Sequence, residues 1–205
     1  MRTLHFPGSL LAAALLAGCA GPATRSDSPL TDVTPSPEPA STGAITSTPS
    51  APVLSTGPMQ RMALLAPDLD PGVLALALEA RACALRNHEV ADDAKLAVID
   101  YSRPSTEKRL WVFDMARDAL LFHEHVAHGS GTGDNLARRF SNEDGSHATS
   151  LGLFRTAETY QGGNGYSLRL DGLDAGFNDR ARSRAIVMHG AWYVNPDLIR
   201  SQGRL

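Results

Sequence analysis

The residue best suited to chemistry in this sequence is a histidine that follows a short apolar run. Residues 185–188 are apolar and lead directly into His189 and Gly190. A short apolar run bounded by a turn signal predicts a buried strand, and such a strand would present His189 where the chain leaves the core. An imidazole takes up and returns a proton near neutral pH, and glycine lets the chain turn and another group approach closely. We therefore interpret His189 as a candidate acid–base residue with Gly190 beside it, the alternative being a purely structural histidine.

Cysteine is the nucleophilic side chain to consider next, and the 205 residues include only Cys19 and Cys83. Two cysteines are too few for a disulfide framework or a zinc site. Cys83 lies among alanines in a predicted helix. The nearby Arg81 and Arg86 do not establish the electropositive, partly exposed setting that a reactive thiol needs. We interpret Cys83 as a small core residue rather than as a nucleophile.

Three more histidines, His123, His125 and His128, lie at the end of a predicted strand. Period-two geometry puts His123 and His125 on the same face of that strand, so a metal site is conceivable. No cysteine or second carboxylate cluster lies nearby in the sequence. A polar strand face is therefore the favoured interpretation, and we predict neither a metal nor another cofactor.

The first 19 residues are typical of a bacterial secretion signal. Arg2 supplies a positive start, and residues 10–17 form an apolar run that is too short to span a bilayer. The sequence that ends at Cys19, Leu-Ala-Gly-Cys, resembles the lipobox of bacterial lipoproteins, so Cys19 is the predicted lipidation site. An ordinary cleaved signal is the alternative. Ala20 rather than aspartate follows the cysteine, which by resemblance to Gram-negative lipoproteins favours periplasmic anchoring at the outer membrane.

Residues 20–58 are rich in Ser, Thr, Pro and Ala and contain few large apolar side chains. Such a segment cannot bury enough surface to offset its ordering entropy, which predicts a disordered tether. The folded domain is then predicted to cover residues 59–205. The net charge of −3 is mild and no basic block occurs, so nucleic acid is excluded as a partner class.

The domain combines helical signals with several short strands. Asp70 and Pro71 predict a helix N-terminus, and apolar residues at helical spacing continue to about Asn87. Asn195 and Pro196 predict a second, short helix that ends near Ser201. The strands are predicted over residues 96–101, 110–115, 120–126, 151–156, 166–170 and the run that ends at His189. This pattern predicts a β-rich α+β domain with an N-terminal helix.

The glycine-rich segment Gly129–Asp134 follows a strand, but no helical pattern comes after it. A dinucleotide or phosphate loop needs a strand, a loop and a helix in succession. We therefore expect a mobile loop near the site rather than a phosphate-binding loop.

Several segments in the downstream part of the chain form an ordered set of motifs. They are Ser102–Val112, Val126–Gly129, Ser150–Gly152, Ser167–Leu173 and Ala185–Val194. A set of segments in the same order is more specific than any one motif. From about Ala97 to its end the sequence resembles the L,D-transpeptidase catalytic domain family of the YkuD type, in particular its murein-associated branch. The resemblance implies a YkuD-like mixed β-sheet.

The resemblance also implies a chemistry. In this family a cysteine attacks a peptidoglycan stem peptide at the L-centre of diaminopimelate and expels D-alanine, and an amine or water then resolves the thioester. His189 matches the catalytic histidine, whereas Ala191 stands where family members often carry serine or threonine. The implied partners are peptidoglycan stem peptides. Arg169, Tyr166 and Trp192 are as compatible with packing or surface as with a donor pocket and receive no role.

One element of the family pattern is missing. The family nucleophile lies in a Ser-x-Gly-Cys-like segment beyond the histidine, and no cysteine follows Cys83 in this sequence. We expect the chain as written to be inactive and truncated before the nucleophile, with the C-terminal part of the fold incomplete. The first hypothesis is a murein L,D-transpeptidase that makes or edits cross-links and lacks its nucleophile segment here. The second is a non-catalytic peptidoglycan-binding lipoprotein, and the third is a metalloprotein that uses the three clustered histidines.

Overall fold

A computed structural model describes residues 10–14, 57–92 and 95–205 of the chain. The described part contains three helices and seven strands. In chain order they are β1 (Leu10–Ala14), α1 (Pro58–Leu65), α2 (Pro71–Arg86), β2 (Lys95–Ile99), β3 (Leu110–Asp114), β4 (Ala119–Glu124), β5 (Gly152–Gly162), β6 (Gly165–Gly172), β7 (Val187–His189) and α3 (Pro196–Gln202).

The strands form one mixed sheet in the order β4-β3-β2-β1-β5-β6-β7. β1 runs parallel to β2, and the other neighbouring pairs are antiparallel. The consecutive strands β3 and β4 form one hairpin, and β5 and β6 form another. The predicted β-rich α+β class, with a YkuD-like mixed sheet, is confirmed.

The two sides of the sheet carry separate apolar cores, because successive side chains of a strand point to opposite faces. Leu96 and Val98 of β2 pack with Trp111 of β3 against residues of α1 and α2. Ala97, between them, faces the other side and packs in a smaller cluster that includes Phe154 of β5. The larger core is therefore a helix-on-sheet layer, and the smaller one lies on the sheet's opposite face.

α2 begins as the sequence predicted. The Asp70 carboxylate accepts hydrogen bonds from the backbone N–H groups of Gly72 and Val73, at 2.8 and 3.0 Å. Pro71 takes the first helical position, where a missing N–H has no consequence. α1 was not predicted, and it shows that helical structure begins at Pro58, one residue before the predicted domain boundary.

The apolar run assigned to the signal peptide contributes a strand to the sheet. Leu10–Ala14 forms β1 and pairs with β2 on one side and β5 on the other. Cys19 and residues 20–56 lie outside the described residues. The predicted signal peptide, lipidation site and tether therefore stay predictions.

β7 differs from the buried strand that the sequence predicted. It is three residues long, half-buried, and lies at an edge of the sheet with β6 as its neighbour. Ile186 and Met188 pack against the smaller core cluster, which explains the apolar run. An apolar run indicates that side chains of the strand pack in a core, and it does not indicate whether the strand has one neighbouring strand or two.

The glycine-rich loop 129–134 is hydrogen-bonded to the segment around Thr149, and its expected mobility stays a prediction. The backbone N–H of Gly129 donates to the Thr149 hydroxyl at 2.9 Å, and the N–H of Thr149 donates to the Thr132 hydroxyl at 2.7 Å. A Cβ at Gly129 would collide with the carbonyl oxygen of His147. These glycines therefore permit close backbone packing.

Among the helices of the described ranges, none combines the length and apolar character needed to cross a membrane.

Candidate functional site

His189 lies at the last position of β7, with its side chain half-exposed at the edge of the sheet. It is paired with Ser167 of β6, so the two residues share one side of the sheet. The preceding Met188 points to the opposite side and packs in the smaller core cluster. Packing of Met188 thus turns His189 away from that core and towards an accessible side.

The imidazole of His189 makes a local hydrogen bond that defines its chemistry. Its Nδ1 lies 2.9 Å from the carbonyl oxygen of Gly190. A carbonyl oxygen accepts only, so Nδ1 carries the hydrogen and Nε2 of the neutral ring carries the lone pair. His189 is therefore arranged to accept a proton at Nε2, as a general base must.

The segment that leads into β7 is fixed by an arginine. Arg184 donates through Nη1 to the Ser141 carbonyl and the Ser150 hydroxyl, both at 2.6 Å. Through Nη2 it donates to the Ser146 hydroxyl at 2.9 Å and to the Ala148 carbonyl at 2.7 Å. One side chain thus joins the start of the β7 segment to the irregular segment 141–150.

A second arginine holds the same connection to the hairpin β5–β6. Arg182 lies 2.8 Å from a carboxylate oxygen of Glu158 and 3.1 Å from one of Asp171. The hydrogen bonds from Arg182 are the main cause that holds the pKa of both carboxyl groups below their usual range. The same hydrogen bonds raise the pKa of Arg182. The two arginines flank residue 183, so the segment before β7 is attached both to segment 141–150 and to the hairpin β5–β6.

The three clustered histidines do not share a site. His123 stacks on Trp111 with 4.9 Å between ring centroids, and its Nε2 lies 3.3 Å from Asp68. Nε2 of His125 lies 3.2 Å from the carbonyl oxygen of Thr106. No group of His, Cys, Asp or Glu side chains in the part of the chain that the structure describes is placed to hold a metal ion. The metalloprotein hypothesis therefore has no geometric support from these residues.

His128 instead belongs to a buried polar cluster. Its Nε2 lies 3.1 Å from the carbonyl oxygen of Gly133, and its Nδ1 lies 2.8 Å from Nη2 of Arg109. Arg109 is fully buried, and its guanidinium lies 5.2 Å from the ring centroid of Tyr101. It also donates to the carbonyl oxygens of Arg103 and Val126. This cluster contacts the glycine-rich loop through the hydrogen bond between His128 and Gly133.

Burial affects the titration of that cluster. Desolvation lowers the pKa of His128, and the nearby Arg109 cation lowers it further. Burial raises the pKa of the Tyr101 phenol. Both side chains are therefore neutral near neutral pH, and the cluster's charge is the guanidinium of Arg109.

Cys83 lies in α2 with its side chain buried, as the sequence predicted. A sulfur buried in this way is not accessible to a substrate, which agrees with the interpretation of Cys83 as a structural residue. The structure thus brings no described cysteine into a nucleophilic role beside His189.

Sequence reasoning singled out His189 and Gly190, whose roles stay predictions, and it did not single out Arg109 or Arg184. Both arginines act through partners that are distant in sequence, up to 43 residues for Arg184. Arg109 lies in one of the ordered motifs, which was the signal available for it. No local pattern distinguishes Arg184 from a surface arginine.

The described part of the chain is a β-rich α+β domain that presents the imidazole of His189 at a sheet edge. Comparison with protein families then identifies the domain. The family model for the L,D-transpeptidase catalytic domain matches residues 65–205, which is more than half of the chain, and the chain belongs to this family. Membership implies peptidoglycan as the substrate. No curated protein and no solved structure matches the chain.

Proposed function

We propose that this protein is a murein L,D-transpeptidase component that acts on peptidoglycan stem peptides, in cross-link formation or editing, with His189 as the acid–base residue. The observation that supports the proposal is the geometry of His189 within a family-matched domain. Its Nδ1 donates to the Gly190 carbonyl, which leaves Nε2 as the proton-accepting nitrogen at an accessible sheet edge.

In the proposed reaction a cysteine thiolate attacks the carbonyl carbon at the L-centre of diaminopimelate, and a thioester replaces the bond to D-alanine. His189 takes the thiol proton at Nε2 and returns it to the leaving amine. An acceptor amine, or water, then attacks the thioester and releases the thiolate. Acyl transfer to an amine conserves the free energy of the peptide bond, and transfer to water releases it, so neither route needs a nucleotide.

The proposal places the nucleophile outside the 205 residues. Cys83 is buried in α2, and residues 190–205 contain no cysteine. Acyl transfer therefore requires a Ser-x-Gly-Cys-like segment that this sequence does not supply. The second candidate function is that of a non-catalytic peptidoglycan-binding lipoprotein.

Acylation by a carbapenem, a β-lactam class that resemblance to the family suggests as an inhibitor, separates the two candidates. We expect no covalent adduct on the 205-residue chain by intact mass spectrometry. If the reading frame continues past codon 205 into a Ser-x-Gly-Cys segment, the longer product should form the adduct, and His189→Ala should abolish it. His88→Asn, on an exposed turn, is the matched control.

The opposite results are equally informative. An adduct of unchanged yield in His189→Ala contradicts the role of that histidine. A stop codon with no remnant of the segment, together with co-sedimentation of the chain with purified sacculi, favours the binding protein.

We further propose that Cys19 carries the lipid anchor that retains the protein at the periplasmic side of the outer membrane. The support is the Leu-Ala-Gly-Cys sequence and the alanine that follows it. Stable anchoring takes more than one acyl chain, at about 0.8 kcal/mol for each buried methylene. Palmitate labelling that survives in Cys83→Ser and is lost in Cys19→Ser is the expected result, and labelling of both variants would contradict it.

A further inference from the structure

The face of the sheet that carries His189 also carries charged side chains of the two neighbouring strands. Ser167 of β6 pairs with His189 of β7 on one side and with Tyr160 of β5 on the other. Paired residues of neighbouring strands point to the same face, and so do residues two positions apart on one strand. His189 therefore shares one face of the sheet with Tyr160 and with Arg169.

Three arginines and two carboxylates form a connected set beside this face, which we call the charged row. Each member contacts the next in the order Arg155, Asp171, Arg182, Glu158 and Arg169. Both carboxyl groups are ionised near neutral pH, since hydrogen bonds from Arg182 hold their pKa below the usual range. Three cations against two anions leave one positive charge in excess, which favours an anionic ligand.

Arg169 is the member of the charged row that has hydrogen-bond donors to spare. Its Nε lies 3.1 Å from Glu158, and its guanidinium carbon lies 4.3 Å from the ring centroid of Tyr160. Its two Nη groups make no hydrogen bond to any residue that the structure describes, whereas Arg182 uses all three of its nitrogens. A guanidinium that is oriented by two contacts and keeps both Nη groups open matches the bidentate geometry of a carboxylate.

The separation between this guanidinium and His189 suits a single residue of peptide. Neighbouring strands lie about 4.8 Å apart, so Tyr160 lies about 10 Å from His189, two strands away. One residue of extended chain covers about 3.5 Å, and a hydrogen bond at each end adds about 3 Å. A residue whose amine nitrogen meets His189 can therefore place its carboxylate at the guanidinium that lies over Tyr160.

We propose that Arg169 is a specificity-determining residue that binds, through its two Nη groups, the terminal α-carboxylate of the residue expelled at His189. The inference rests on the proposed function, since it names the group of the acyl donor that is recognised beside the same histidine. A donor that ends in a free carboxylate is held with its leaving amine at Nε2. A donor that ends in an amide, or that continues into another residue, lacks this contact. Arg169 thereby selects chain ends, a role that the sequence alone did not indicate.

The test changes both the residue and the group that it would bind. Calorimetry with the full chain compares a stem tetrapeptide that has a free C-terminal carboxylate with the same peptide amidated at its C-terminus. We expect the wild type to bind the carboxylate form about tenfold more tightly, the effect of one charge-assisted hydrogen-bonded pair. Arg169→Gln should bind both peptides with the affinity that the wild type has for the amide. Arg169→Lys should keep part of the preference, because it retains the charge and loses the planar pair of donors.

Arg155→Gln is the matched control, because it removes the same charge at the far end of the charged row. Arg155 is paired with Asp171, four residues along β6 from Ser167, and its side chain is 43% exposed. This variant should keep the tenfold preference for the carboxylate.

The proposal is overturned if the wild type binds the two peptides equally or binds neither, if Arg169→Gln keeps the preference, or if Arg155→Gln loses it to the same extent. If Arg169→Gln binds neither peptide, Arg169→Lys decides, and an undiminished preference in that variant overturns the proposal.

Failure of this inference and failure of the proposed function give different results. A carboxylate preference that depends on Arg169, without any acyl transfer, leaves the inference intact and favours the non-catalytic binder. Acylation that depends on His189, without a carboxylate preference, leaves the transpeptidase proposal intact and removes the role of Arg169.

Discussion

Single buried polar residues connect distant parts of this domain, and the pair Arg109 and His128 shows how. The carbonyl of Gly133 accepts from Nε2 of His128, so Nδ1 must accept from Arg109. Only the neutral ring satisfies both bonds. A second proton on His128 would put two positive charges 2.8 Å apart at the base of the glycine-rich loop.

We predict that this arrangement makes stability fall as the medium is acidified. Burial and Arg109 hold the pKa of His128 below the ordinary value of 6.5, whereas the unfolded chain titrates near that value. The unfolded state therefore binds the proton first, and stability that is complete above pH 6.5 is lost as the pH falls towards the lowered folded-state pKa. Urea unfolding from about pH 8 to about pH 5 measures the decline.

His128→Gln should flatten that pH dependence, because an amide can accept from Arg109 and donate to Gly133 without titrating. The groups that face His128 are Arg109, the Tyr101 ring and Asp134. His88→Asn, on an exposed turn, should keep the wild-type slope. An equal slope in wild type and His128→Gln would contradict the prediction.

At the scale of elements, capping signals located α2 and α3, whereas α1, which has no side-chain cap hydrogen bond, was not predicted. Asp70 marks the start of α2, and Asn195 caps α3 by accepting from the N–H groups of Asp197 and Leu198. β5 extends beyond its predicted end because a bulge between Thr156 and Thr159 lets the pairing with β6 continue. A bulge leaves no clear trace in an alternating pattern.

The elements that sequence reasoning described less well depend on long-range partners. The edge position of β7 follows from which strands pair with it, and no window of sequence contains that information. The hydrogen bonds of the glycine-rich loop could not be predicted either, because its partner Thr149 lies 20 residues after Gly129. His189 stands out in the sequence because its proposed chemistry is carried by one residue and its neighbours.

We predict that β7 depends on Arg184. A short edge strand has few contacts of its own, and Arg184 supplies four hydrogen bonds at the start of its segment. Arg184→Ala leaves the carbonyls of Ser141 and Ala148 without this donor, at a cost of about 2–3 kcal/mol in the free energy of unfolding. Amide hydrogen exchange should become faster in segment 141–150 and in β7.

Arg180→Ala provides the comparison, since Arg180 is half-exposed and pairs with Asp144 at the surface. Such pairs contribute little to stability, so its exchange pattern should match the wild type. Unchanged protection of β7 in Arg184→Ala would show that pairing with β6 alone holds the strand.

At the scale of the whole molecule, one strand joins the two parts of the sheet. β1 lies between β2 and β5, so it connects the block β4-β3-β2 to the block β5-β6-β7 that carries His189. The same residues, Leu10–Ala14, belong to the predicted signal peptide. Processing before Cys19 would remove β1. The sheet therefore contains a segment that the proposed lipoprotein would lose.

We predict that a chain that starts at Cys19 is less stable than the full chain by at least about 3 kcal/mol, since both ladders of β1 are lost and each net hydrogen bond contributes about 1 kcal/mol. At about 2–4 °C for each kcal/mol, the thermal midpoint should fall by roughly 10 °C. The truncated chain keeps both Cys19 and Cys83, so the two chains that are compared have the same cysteine residues. A peptide that spans residues 8–16 should restore part of the loss when added in excess, because it binds the folded state alone.

Deletion of residues 25–45 from the predicted tether is the control and should leave the midpoint unchanged. An unchanged midpoint without residues 1–18 would show that the sheet does not depend on β1, and that the processed lipoprotein retains a stable domain.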